Sequence, residues 1–307
     1  MLSLPILVAL LGVGEEQEPT RTVFRASTEV VQIDVFVGKD GKAIAGLGPN
    51  AFSLHDNGEE RDITIVDVAT VPLDVTIVLD TSRSVAGTKL ESLQGGVHAF
   101  IDGLEEKDRA ALVTFSQHLS LRADLTSDRA ELHHAVDRVR PSGVTAWHDA
   151  LFAGLKIVEG ASHRPVVLLF SDGADTYSFL LEEQLLPLVE QSDAVVYAIV
   201  PAERQLGART ASPANARLDE WRSLQEQYAR RTRLLRSLTE ASGGRLIETE
   251  SIARLQEIFL EILNEMKTRY LLTFQPPHPI QKGWHDIEVE VNVRGAEVHA
   301  RRGYFYE

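Results

Sequence analysis

The chain has 307 residues, 44% hydrophobic and 25% charged, enough to bury a large core and to build more than one domain. Its net charge of -14 argues against nucleic acid, which needs a basic face, and against anionic membranes. With no cysteine there is no disulfide, no zinc-thiolate site, no thiol nucleophile and no lipidated cysteine anchor.

In chain order, Leu4 to Gly14 is a short apolar run followed by Glu15 and Glu16. It is too short to span a bilayer, and small residues near its end make residues 1–18 a predicted signal peptide, although no Lys or Arg precedes the run. A secreted or periplasmic product is expected. Residues 25–70 alternate with period two, as in Val30 to Val37 and Asp62 to Val68, around Gly/Asp/Asn turns at Asp40-Gly41 and Asn57-Gly58. Such alternation predicts antiparallel strands with one wet face.

From residue 73 to 268 the pattern changes. Apolar runs (Val75 to Leu79, Asp108 to Phe115, Val166 to Phe170, Ala194 to Val200) alternate with helical spacing over Leu90 to Leu104, Ala130 to Val139, Ala146 to Val158 and Ile252 to Met266. This predicts an α/β fold, a doubly wound and mostly parallel Rossmann-like sheet. Residues 269–307 return to period two and are expected to pair with the 25–70 strands, completing a small accessory β-sandwich, because three strands alone are marginal. Pro201 to Tyr228 reads as a polar insertion on the ligand-facing side, a candidate binding element, with helical spacing from Arg217 to Arg236. The basic cluster Arg230-Arg231-Thr232-Arg233 reads as a solvated helix face.

The first apolar run ends in Asp80-Thr81-Ser82-Arg83-Ser84, one carboxylate and alternating hydroxyls at the crevice where open α/β sheets bind ligands. Asp80, Ser82 and Ser84 can aim three oxygens at one spot, which suits a hard divalent cation such as Mg²⁺. The turn Pro141 to Ala146 presents Thr145, and the Val166 to Phe170 run ends in Ser171-Asp172-Gly173. The alternative is that Asp80 caps the following helix and the serines satisfy its free backbone N–H groups.

Asp80, Ser82 and Ser84 with the Thr145 loop and Asp172-Gly173 resemble the metal-ion-dependent adhesion site of von Willebrand factor type A domains. Together with Asn50 to Leu54, Ala241 to Arg245 and Arg301 to Phe305, the chain resembles the bacterial proteins related to that family in acidobacteria. The resemblance implies a site of Asp80, Ser82, Ser84, Thr145 and Asp172 around Mg²⁺ (or Mn²⁺ or Ca²⁺). In that family a protein partner's Asp or Glu completes the shell, so the implied function is non-enzymatic adhesion-type binding.

No G-x-S-x-G elbow or P-loop occurs. A Ser82, His148, Asp172 triad can be drawn, but nothing in the sequence orients the imidazole. Asp149 and Asp175 are open between hydrogen-bonding groups of the site and ordinary turn or helix-start roles. Arg83 could touch an acidic ligand, and His133 and His134 are expected at the surface. Two other readings stand: a Mg²⁺-dependent phosphotransferase or phosphatase using Asp80 as nucleophile, against which Ser82 stands where a second carboxylate is wanted, and a scaffold that uses no metal.

Overall fold

The computed structural model describes residues 30–66, 71–172, 174–202 and 216–306. The expected signal peptide, Gly173 and most of the loop after Pro201 lie outside the described residues. Among the described residues, no helix is long and apolar enough to cross a membrane.

A six-stranded sheet of order β11-β10-β9-β6-β7-β8 forms the centre. Its middle strand β6 (Leu73–Asp80) is buried at every position, between β7 (Arg109–Phe115) and β9 (Arg164–Phe170), both parallel to it. The outer parallel strands are β10 (Val195–Pro201) and β11 (Leu246–Thr249). Helices α1 (Thr88–Gly103), α2 (Arg129–Asp137) and α6 (Leu255–Thr268) share a core with Val75, Ile77 and Leu79, whereas α3 (Trp147–Ile157), α4 (Glu182–Glu190) and α5 (Ala216–Ala241) share one with Val78. Alternation along β6 thus feeds two cores, as a sheet covered on both faces requires. The sixth strand, β8 (Leu119–Thr126), was not among the expected strands although Leu119, Leu121, Ala123 and Leu125 alternate with polar residues; it is an antiparallel edge carrying Arg122 and Asp124, charges that suit an unpaired edge.

The two ends of the chain meet beside this unit. β1 (Val31–Lys39) pairs antiparallel with β12 (Tyr270–Phe274) and β14 (Glu297–Ala300), and β5 (Ile63–Val66) pairs with β12. β13 (Gly283–Val291) pairs with β3 (Phe52–Asp56) and β15 (Gly303–Tyr306); the short β2 (Lys42–Ala43) and β4 (Glu59–Glu60) extend the edges. Ile33, Val35, Leu54, Leu272 and Ile287 bury one core common to both sheets. The expectation of one wet face fails for β12, whose five residues are all buried. It lies between β1 and β5, and its Leu271 faces a groove shared with Arg164, Val195 and Ser242 of the α/β unit.

The polar insertion is helical from close to Arg217, where helical spacing begins in the sequence. Helix α5 starts at Ala216, so only residues 202–215 separate it from β10, and its 26 residues absorb the basic cluster. The turn from α5 into β11 requires glycine. A Cβ on Gly244 would sit 2.0 Å from the Val196 carbonyl oxygen, and one on Gly243, at φ +77°, would meet the Arg301 backbone at 2.5 Å. Gly244→Ala is expected to cost about 3 kcal/mol or more in denaturant unfolding, because only backbone is there to give way. Gly48→Ala, with open space around it, is the control and should change stability by less than about 0.5 kcal/mol.

Candidate metal centre

β6 and β9 are in register, Leu79 opposite Phe170, so Asp80 and the Ser171-Asp172 pair leave neighbouring strands at the same edge. The Thr81 N–H and hydroxyl both donate to the Phe115 carbonyl, at 2.7 and 2.8 Å, and pin the turn to β7. From there one chain of oxygens runs outward. Asp80 accepts from the Ser171 hydroxyl (2.9 Å) and the Ser82 N–H (2.8 Å); the Ser82 and Ser84 hydroxyls lie 2.8 Å apart; Ser84 donates to Asp172 at 2.5 Å. The Lys89 ammonium, from the first turn of α1, takes the other Asp172 oxygen. Asp80 and Asp172 are buried while Ser84 is exposed, so the chain opens to solvent at one end.

The Thr145 loop is stitched alongside. Ser142 N–H donates to the Thr81 carbonyl (2.7 Å) and Arg83 N–H to the Gly143 carbonyl (3.2 Å). Thr145 is buried, and its carbonyl accepts from the Thr176 N–H at 2.9 Å. Among the described residues its hydroxyl makes no hydrogen bond to the oxygen chain. Four of the five expected site residues are therefore joined directly, and the fifth sits on a loop bonded to theirs.

The helix-cap alternative does not hold. α1 begins at Thr88 after Gly87 at φ 75°, with no side-chain cap, and the short turn of 3-10 helix at Arg83–Val85 has none either. Burial, and then the charge of Asp172, push the Asp80 carboxyl up to about 6, although Ser82 and Ser171 favour its ionised form. Two close carboxylates and converging hydroxyls, all oxygen donors, fit a hard cation.

Other candidates separate from this chain. Asp175 accepts from the Ser178 hydroxyl (2.7 Å) and the His148 N–H (3.1 Å), and Asp149 from the Phe179 and Leu180 N–H groups (3.0 and 2.9 Å), which are turn and helix-start roles. No triad forms, because His148 Nδ1 faces the Leu180 carbonyl at 2.9 Å and Asp172 is held by Ser84 and Lys89. Arg83 is exposed at the site's mouth. His134 is exposed, but His133 is half-buried, stacked on His98 with ring centroids 4.9 Å apart and 2.9 Å from Asp102.

Sequence reasoning missed Lys89, Ser171 and the burial of Arg231. A lysine in a helix's first turn opposes the positive end of the dipole, which is a readable hint of an anionic partner. Arg231 lies four residues before Leu235 and seven before Leu238, on the buried stripe of α5, so it is not part of the solvated face expected for the cluster.

Residues 75–174, which contain all five candidate ligands, match the family model described as von Willebrand factor type A domain. This segment belongs to that family. An uncharacterized protein of Synechocystis sp. is 29% identical over 111 residues, covering 35% of this chain and 26% of that protein. The inter-alpha-trypsin inhibitor heavy chain H2 of Mus musculus is 26% identical over 135 residues, covering 40% of this chain and 14% of its own length. The chain thus spans only a small part of either relative. Among solved structures, a von Willebrand factor type A protein of Catenulispora acidiphila superposes with a TM-score of 0.51 at 12% identity, covering 92% of this chain and 76% of that one. Proximal thread matrix protein 1 of the mussel byssus, described with a zinc-occupied MIDAS motif, gives a TM-score of 0.50 at 18% identity, covering 68% and 49%. At these identities the likeness to the two structures is one of fold.

Proposed function

We propose that Asp80, Ser82, Ser84, Thr145 and Asp172 hold one divalent cation, Mg²⁺ or Mn²⁺ in the first instance, and that the protein binds an acidic group of a protein partner through it. The reading is carried by the hydrogen-bonded run from Asp80 through Ser82 and Ser84 to Asp172 at one edge of the sheet. When bound, such an ion supplies a positive centre whose remaining coordination positions accept a carboxylate. Ser82 and Ser84 supply neutral oxygens that leave the ion's charge available, and Asp80 anchors the turn from inside. Lys89 holds one oxygen of Asp172, so an ion there competes with the ammonium.

The role is non-enzymatic. Asp80 is fully buried and both its oxygens accept hydrogen bonds, which supports an anchoring group over the nucleophile of the phosphotransferase reading. Residues 73–268 form the binding domain, and 25–70 with 269–307 form its accessory sandwich. The apolar run before Glu15 supports a secreted or periplasmic location.

The test is calorimetric titration of Mg²⁺ and Mn²⁺ into the full chain and into the Ser82→Ala, Ser84→Ala double variant. Binding by the first and its loss in the second is the expected result. Equal heats from both, or none from either, would overturn the assignment.

A further inference from the structure

Arg231 is 4% exposed, yet its Nε and Nη1 have no hydrogen-bond partner among the described residues. Burying a guanidinium with these donors unbonded is costly, so its retention calls for an anion that satisfies them. Its position is set by the fold. Ser242 and Gly244, just past the end of α5, are level with Val196, through the Ser242 hydroxyl bonded to the Val196 N–H at 2.9 Å. Eleven residues of helix back from Ser242 rise roughly 16 Å, and five residues of strand onward from Val196 rise about the same. Arg231 therefore stands at the C-terminal edge of β10, where β9 delivers Ser171 and Asp172. Below it on the stripe, Leu235 and Leu238 pack in the same core as Val200 and Trp147, and Trp147 heads α3 two residues after Thr145.

The guanidinium stacks on the Tyr228 ring at 4.9 Å, which uses its face and leaves in-plane N–H groups as donors. Asp172 and Asp80 act on it electrostatically, but their oxygens are already engaged by Ser82, Ser84, Ser171 and Lys89. Charge counting gives the direction. Among the buried groups Asp80 and Asp172 stand against Lys89 and Arg231, while the exposed Glu248, which also acts on Arg231, is paired with Arg236. A divalent ion added to that balance leaves a positive excess that an acidic ligand would neutralise.

We propose that Arg231 is a second anion-binding group beside the metal centre, taking a carboxylate of the acidic partner segment through its unpartnered N–H groups. This rests on the metal reading for its biological use, but anion binding at Arg231 can be tested without metal.

The experiment uses the full chain with acetate as the probe carboxylate, read by thermal unfolding in EDTA at constant ionic strength, with Arg231→Met and Arg231→Lys alongside. Acetate is expected to raise the midpoint of the wild type, to raise that of Arg231→Lys less, and to leave Arg231→Met unmoved. Arg231→Met is compared with its own acetate-free midpoint, because removing the guanidinium also changes the field around Asp80 and Asp172. It should also bind Mg²⁺ several-fold more tightly, since a like charge has been removed.

An acetate response that is absent in the wild type, or unchanged in Arg231→Met, overturns the proposal. Should Arg231→Met fail to fold, the comparison passes to Arg231→Gln with the same criteria. Mg²⁺ binding with an Arg231-independent acetate response removes the anion site and keeps the metal; an Arg231-dependent response without Mg²⁺ binding does the reverse.

Discussion

Replacing Arg269 by Met is expected to destabilise the protein by about 3–5 kcal/mol, the cost of breaking a buried ion pair from one side. Arg269 is 1% exposed in its side chain and lies where α6 passes into β12, joining the α/β unit to the paired ends of the chain. It donates to the Asp34 carboxylate, to the Tyr197 hydroxyl (2.9 Å) and to the carbonyls of Gly243 (2.7 Å) and His299 (3.2 Å). Tyr197 in turn donates to Glu265 at 2.9 Å, and Arg164 pairs with Asp34 at 2.7 Å. Removing the guanidinium leaves Asp34 short of a partner and two carbonyls without their donor. Arg269→Lys should recover only part of the loss, because an ammonium cannot span a planar set of acceptors.

The pH dependence has a definite sign. Burial works against the Asp34 charge, but Arg164 and Arg269 outweigh it and hold the carboxyl below its ordinary 3.8. That contribution is present above about pH 4 and is lost as pH falls through the lowered native value. The gap between wild type and Arg269→Met should therefore narrow in acid. Denaturant unfolding at pH 7 and pH 3 measures it; a difference under about 1 kcal/mol at pH 7 would remove Arg269 as the joint.

Asp80→Asn is expected to act in the opposite sense on the metal-free protein, raising its stability by about 1–3 kcal/mol at pH 7.5 while abolishing stabilisation by Mg²⁺. Asp80 is 0% exposed, with its carboxyl raised to about 6 by burial and by Asp172. The folded state thus holds this proton more tightly than the unfolded chain. Metal-free stability should fall as pH rises from about 4 to 6 and then level off, and the variant should lack that slope. An asparagine oxygen still accepts the Ser82 N–H, so the turn survives. In Mg²⁺ at a thousand times its dissociation constant the wild type gains about 4.1 kcal/mol and overtakes the variant. Melting curves in EDTA and in Mg²⁺ decide the matter. A variant that is weaker in EDTA, or that still gains from Mg²⁺, would contradict a cation site built around Asp80.

Local chemistry explains what could be read from residues alone. Val75 to Leu79 in β6 are apolar or β-branched at every position, which a doubly covered strand explains, and the following Asp80, Ser82 and Ser84 are a change of chemistry within five residues. Asp172 repeats that change at the next strand end. The switch from period two to strand-and-helix alternation near Leu73 was equally visible, because side-chain periodicity follows directly from backbone geometry. β8 was passed over although Leu119, Leu121, Ala123 and Leu125 alternate with polar residues, because only Ala123 among its residues is buried.

Contacts between distant residues were decided only in three dimensions. Asp34 and Arg269 stand 235 positions apart and look, in sequence, like a solvent-facing acid and a basic linker residue. Lys89 and Asp172 are 83 apart, and Arg231 was one of three arginines in a run whose individual burial depends on which stripe of α5 meets the sheet. The sequence by itself determined the strand ends, the oxygen-rich turn and the two kinds of periodicity, all set by neighbours within a few residues. Tertiary structure alone decided which charges are buried and against what, because the energy of a charge depends on the dielectric and the partners brought to it by the rest of the fold.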